Sequence, residues 1–135
     1  MMEKLEITGT AKTPTIIMDA VSGELLFEGR SNPENANELY EPVIRWLDRY
    51  VEQPAAHTHL KLNLELFNTS SSKYILEVLK KIRYLADNNH PFNVTWMYED
   101  DDLEMIDTAE AFEMMTGLRF EKVSYPEGGY LSGQQ

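Results

Sequence analysis

Residues 60–72 read Leu60-Lys61-Leu62-Asn63-Leu64-Glu65-Leu66-Phe67-Asn68-Thr69-Ser70-Ser71-Ser72. The first six positions alternate apolar with polar and the last apolar pair is unbroken, which is the pattern of a strand with one buried face that becomes wholly apolar at its end. A polar cluster follows at once. Tyr74, Ile75, Val78, Leu79, Ile82 and Leu85 then recur at helical spacing, up to a stop near Asn88-Asn89. Strand, short polar link and helix in that order form the repeating unit of an α/β sheet.

The rest of the chain extends this unit in both directions. Upstream, residues 2–8 alternate weakly around Leu5 and Ile7, and two short β-rich runs at 15–18 and 25–27 flank the turn residues Val21 to Glu24, which predicts a hairpin. Residues 30–34, Arg30-Ser31-Asn32-Pro33-Glu34, predict a helix start with Ser31 or Asn32 as cap and Pro33 in the first turn. Apolar residues from Leu39 to Val51 continue that helix, and Pro42 predicts a kink or a second start. Downstream, residues 92–98 predict a strand. Residues 99–102 open a helix that Gly117 closes, and residues 118–125 predict a last strand. The order β-ββ-α-β-α-β-α-β implies one α/β domain over residues 1–125, with helices packed on a mixed sheet of about six strands. Residues 126–135 are expected to be a flexible tail.

Composition narrows the function. The chain has 135 residues, 42% apolar and 26% charged, enough for one well-buried core. Its net charge of −11 argues against nucleic acid and against anionic membranes as partners, because both require a basic surface. With no cysteine there is no disulfide, thiolate nucleophile or Cys-ligated metal. No apolar run is long enough to span a membrane and the N-terminus has no signal-peptide core, so a cytoplasmic location is expected.

Chemistry is concentrated at the junction quoted above. In an open α/β sheet, functional groups gather outside the carboxyl ends of the strands. Asn68, Thr69, Ser70, Ser71 and Ser72 place four hydroxyls and an amide there, at a helix start that favours negative charge. Helix capping accounts for one or two of them, and a phosphoacceptor or anion site is the alternative use of the rest. A second feature is the run of eight carboxylates between Glu99 and Glu113, uninterrupted by lysine or arginine. It reads as a solvated helix face or as a docking face for a basic partner. His57, His59 and His90 complete no metal-ligand set, and no nucleophile elbow, phosphate loop or dinucleotide fingerprint occurs. No cofactor, metal or catalytic residue is therefore assigned.

The strings Phe27-Glu28-Gly29-Arg30-Ser31-Asn32-Pro33-Glu34, Leu39-Tyr40-Glu41-Pro42 with Trp46-Leu47, Leu64-Glu65-Leu66-Phe67-Asn68-Thr69-Ser70-Ser71-Ser72-Lys73 and Val94-Thr95-Trp96-Met97-Tyr98 occur in order. In these the chain resembles the SiaC family of bacterial regulatory phosphoproteins over about residues 5–125. The resemblance implies a STAS-like fold, as in anti-sigma-factor antagonists, and a non-enzymatic partner-switching role. It also implies a dedicated Ser/Thr kinase, a PP2C-type phosphatase, and an output protein such as a diguanylate cyclase that the unphosphorylated form activates, promoting biofilm formation. The family phosphoacceptor is the threonine of Asn-Thr-x-Ser, which is Thr69 here. The expected partner surface comprises Asn68, Ser70, Ser71, Ser72, Lys73, Arg30, Ser31, Pro33 and Glu34.

Two other classes of function make different demands. A small hydrolase or transferase needs a pocket joining Thr69–Ser72 to one of the histidines. A constitutive adaptor needs only the acidic helix. The charge balance yields a prediction common to all three: in a low-salt mobility-shift assay the protein leaves DNA and RNA unshifted, and tight binding would contradict it.

Overall fold

The computed structural model describes residues 2–126, so all but the first residue of the expected tail lies outside the described residues. Its elements are β1 (Leu5–Ile7), β2 (Thr15–Met18), β3 (Glu24–Ser31), α1 (Ala36–Tyr50), β4 (Thr58–Phe67), α2 (Thr69–Asp87), β5 (Phe92–Glu99), α3 (Leu103–Thr116) and β6 (Glu121–Tyr125). The six strands lie in strict chain order in one mixed sheet. β1, β2 and β3 pair antiparallel, and β3 to β6 pair parallel. Strands in chain order joined by right-handed crossovers carry their helices on one face, and α1, α2 and α3 do pack side by side. The core fills the space between. Leu25, Phe27, Leu60, Leu62 and Val94 from the strands meet Tyr40, Val43, Leu47 and Tyr50 of α1 and Ile75, Val78, Leu79, Ile82 and Leu85 of α2, all fully or almost fully buried.

The structure moves two predicted features. Ser31, expected to cap the first helix, is instead the last residue of β3, paired with Phe67 of β4. α1 starts at Ala36 because Asn35 caps it, accepting from the Glu38 N–H at 3.1 Å. Pro33 therefore lies in the link before the helix. Pro42 neither ends nor restarts α1, which runs through it as one helix. Its missing N–H forfeits a single backbone bond, and burial of Tyr40, Val43 and Leu47 on either side holds the helix to the sheet.

A one-residue register shift against Gly29/Arg30 leaves Glu65 of β4 without an opposite residue. Because the side-chain period of a strand is two, this reverses the faces beyond it. Leu66 comes out at 41% exposure and Phe67 turns in against the core. There Phe67 meets Trp96 edge-on at 6.4 Å and Phe112 of α3 at 6.3 Å. The unbroken apolar ending of β4 therefore marks a change of face. Among the described residues, no helix is long and apolar enough to cross a membrane.

The hairpin turn supplies a stability test. Gly23 has φ of 79°, a left-handed conformation, and an added Cβ would run into the backbone oxygen of His57. Gly23→Ala is expected to lower the unfolding free energy by at least about 1 kcal/mol from the backbone conformation alone. Urea denaturation followed by circular dichroism measures this, and an unchanged midpoint would refute the close approach.

Candidate functional site

The start of α2 is built from the residues of the quoted junction, each with a distinct task. Asn68, extended at φ −82° and ψ 174°, is the N-cap, and its Oδ1 accepts from the Ser71 N–H at 2.8 Å. Its Nδ2 donates to Asn32 Oδ1 at 3.0 Å and to the Pro33 carbonyl at 3.4 Å, and its own N–H donates to the Ser31 carbonyl at 2.9 Å. One asparagine thus fastens the helix start to the end of β3.

Behind the cap lies a closed set of hydroxyls. Ser31 Oγ donates to Ser71 Oγ at 2.8 Å, and Ser71 Oγ donates to the Ser31 carbonyl at 3.2 Å. Each hydroxyl has one proton, so the Tyr40 hydroxyl, 2.6 Å from Ser31 Oγ, is the donor of that pair. Ser31, Tyr40 and Ser71 are all 0% exposed. Burial pushes the Tyr40 phenol above its ordinary pKa, against the smaller opposing pull of its serine partners, so it stays a donor at neutral pH. The Tyr40 ring also stacks on Tyr74 at 5.3 Å, and the Tyr74 hydroxyl donates to Asn37 at 2.9 Å. Ser31 and Ser71, expected on the partner surface, are instead buried, with their hydroxyls taken up inside the fold.

Subtraction leaves the exposed hydroxyls. Ser72 Oγ donates to the Thr69 carbonyl at 2.7 Å. Thr69 and Ser70, the first two residues of α2, are exposed, and among the described residues neither side chain makes a hydrogen bond. Their backbone N–H groups lie at the positive end of a helix of 19 residues. Lys73 and Glu34 are exposed beside them, Pro33 is half-buried, and the Arg30 guanidinium is held by Glu65 at 3.3 Å. The neighbouring carboxyl end of the sheet is acidic. Tyr125, whose hydroxyl donates to Asn63, is pushed up to about 12 by burial and by the carboxylates of Glu99, Glu65, Asp102 and Glu28.

Among the described residues, the histidines lie far from Thr69–Ser72. His57 and His59 sit at the amino end of β4 and His90 just before β5, whereas Thr69 follows the carboxyl end of β4. The eight residue steps of strand from His59 to Phe67 span roughly 26 Å. His57 and His59 belong to a polar belt across the sheet: His57 bonds Asn93 at 2.6 Å, His59 bonds Thr95 at 2.9 Å, and Asn93 and Thr95 both donate to Glu121. In the acidic run, Asp102 caps α3 through the Met105 N–H. Partial burial opposes ionisation of Glu113, but the Lys122 ammonium and the Phe120 N–H hold it below the usual carboxylate range. Sequence reading missed Tyr40, Tyr74 and Asn37 as parts of the site, and took Asn32 as a candidate cap of α1, a task that falls to Asn35. Tyr40 and Tyr74 lay in apolar rows, and nothing in their spacing shows where a hydroxyl ends.

Residues 7–125 match the profile described as SiaC family regulatory phosphoprotein. An uncharacterized protein of Pseudomonas aeruginosa strain UCBPP-PA14 is 33% identical over 111 residues, 82% of this chain and 88% of that protein. The crystal structure of apo-SiaC from Pseudomonas aeruginosa superposes with a TM-score of 0.82 at 32% identity, covering 91% of this chain and all of that one. A chain from the crystal structure of the diguanylate cyclase SiaD in complex with its activator SiaC, from the same species, gives 0.84 at 30% identity, over 90% and 99%.

The division of labour at the helix start is directly testable. Ser71→Ala leaves buried partners unpaired and is expected to cost about 1–3 kcal/mol. Asn68→Ala removes the cap and should cost about 1 kcal/mol. Thr69→Ala and Ser70→Ala should stay within about 0.5 kcal/mol of the parent. Chemical denaturation of the four variants checks this, and a Thr69→Ala loss as large as that of Ser71→Ala would make Thr69 structural.

Proposed function

Since this chain belongs to the SiaC family of regulatory phosphoproteins, we propose that it is a non-enzymatic partner switch whose phosphoacceptor is Thr69. The observation that carries the reading is the state of that hydroxyl. It is exposed and unbonded on the first turn of α2, while the backbone beneath it is fixed by Asn68 and the buried Ser71. A kinase can reach it without disturbing the fold, and the phosphate it adds stays in one place. The writer is a Ser/Thr kinase, the eraser a PP2C-type phosphatase, and the working location the cytoplasm. The regulatory domain is residues 1–125.

The output partner is a diguanylate cyclase, by analogy with the SiaC that is the activator of SiaD. The unphosphorylated form binds it through the exposed first turn of α2, with Thr69, Ser70 and Lys73 in the contact. A phosphate adds about 1.5 to 2 negative charges at neutral pH and three acceptor oxygens. Over a helix N-terminus it is tolerated by this protein. In a closed interface shaped around neutral hydroxyls it is bulky and lacks matching donors. A hundredfold loss of affinity requires about 2.7 kcal/mol, within reach of one desolvated, unpaired anion.

Calorimetric titration of a diguanylate cyclase from the same organism tests the switch. Unmodified protein and Thr69→Ala are expected to bind alike. Thr69→Glu should bind more weakly, and kinase-treated protein at least about a hundredfold more weakly. Equal affinity of the phosphorylated and unmodified forms would refute the switch and leave a constitutive adaptor.

A further inference from the structure

We infer that the groove between β1 and the first turns of α1 is an anchoring pocket for the output partner, taking an apolar side chain flanked by lysine or arginine. The inference rests on the switch reading above and extends its footprint. The groove has a volume of about 490 Å3 and an apolar floor of Ile7, Pro33, Leu39 and Pro42, with Glu34, Glu38 and one cation, Lys12, among its lining residues. All four apolar residues are half-buried, and both carboxylates and Lys12 are exposed, so the groove offers carbon within and, with two carboxylates against one ammonium, net negative charge at its lip.

Three observations point to this occupant. The groove adjoins the phosphoacceptor turn, because the Asn68 side chain that caps α2 also donates to Asn32 and to Pro33, which forms the groove wall. One partner surface can therefore cover both. The wall is also preformed: the Asn32 N–H donates to the Lys12 carbonyl at 2.7 Å and Asn35 caps α1, so little ordering is left to oppose binding. Finally, Pro42 stands inside α1 where it costs a helix bond, and it lines the groove. A residue that works against its own element and faces open space is explained by what it contacts from outside. The acidic lip selects the charge of that contact.

Pro42→Ala separates binding from folding. It restores a helix N–H, so the melting temperature is expected to rise, while loss of the ring contact lowers affinity for the cyclase about tenfold. The double variant Glu34→Lys/Glu38→Lys changes only exposed residues and should weaken binding about tenfold or more, with a smaller dependence on salt. Both are titrated beside wild type and Thr69→Glu. If Pro42→Ala and the double variant bind as wild type does while Thr69→Glu is weakened, the groove is not the anchor and the switch reading stands. If wild type itself does not bind, the switch reading falls and the groove assignment with it.

Discussion

Three buried hydroxyls, on Tyr40, Ser31 and Ser71, hold the molecule's functional end in place. They come from α1, β3 and α2, and each donates once, in a single direction that ends on the Ser31 carbonyl. A buried hydroxyl without a partner is costly, so the three elements are stable only in the arrangement that pairs all of them. Hydrophobic burial fixes the spacing of helices and sheet in general terms. The hydroxyl set fixes where α2 begins, to the residue, and so which side chains of its first turn face water. Asn68 repeats the constraint from outside by tying the same turn to Asn32 and Pro33.

A second constraint acts on the other side of α2. The register shift opposite Glu65 sends Phe67 inward to an aromatic group with Trp96, Phe112 and Phe120. That contact carries α3 and the late strands against the end of β4. The residue just before the cap is thus a core anchor, and the cap itself is bound on two sides. The neighbouring carboxyl end of the sheet is negative, with Glu99, Glu65, Asp102 and Glu28 all raising the pKa of Tyr125. Fixed backbone, exposed hydroxyls and an acidic neighbouring sheet end occur together at this side of the molecule.

Much of this was legible in the sequence. The order of nine elements follows from apolar periodicity and from Gly117, whose left-handed φ of 75° ends α3 as its position predicts. The family was legible from four strings of residues. Local rules failed where tertiary pairing overrode them. Ser31 and Pro33 look like a helix start, but pairing of β3 with β4 continues through Ser31 and delays the helix to Ala36. The site was legible as a cluster of five polar residues, not as a division among them. Which serine is buried depends on hydroxyls 31 residues upstream in Tyr40 and 40 upstream in Ser31, and no periodicity reports that.

The strand order has a consequence for how the protein is made. The hydrogen-bonding partners that fix the first turns of α2 — Ser31, Asn32, Pro33, Asn37 and Tyr40 — all precede it in the chain. Each later strand joins the edge left by the one before. During synthesis, therefore, the hydroxyl relay and its cap have all their bonding partners once residue 74 has left the ribosome, before β5, α3 and β6 are translated. A nascent chain truncated just after α2 already contains every member of that hydrogen-bonded set, and lacks the aromatic partners Trp96 and Phe112 that hold Phe67 from the other side.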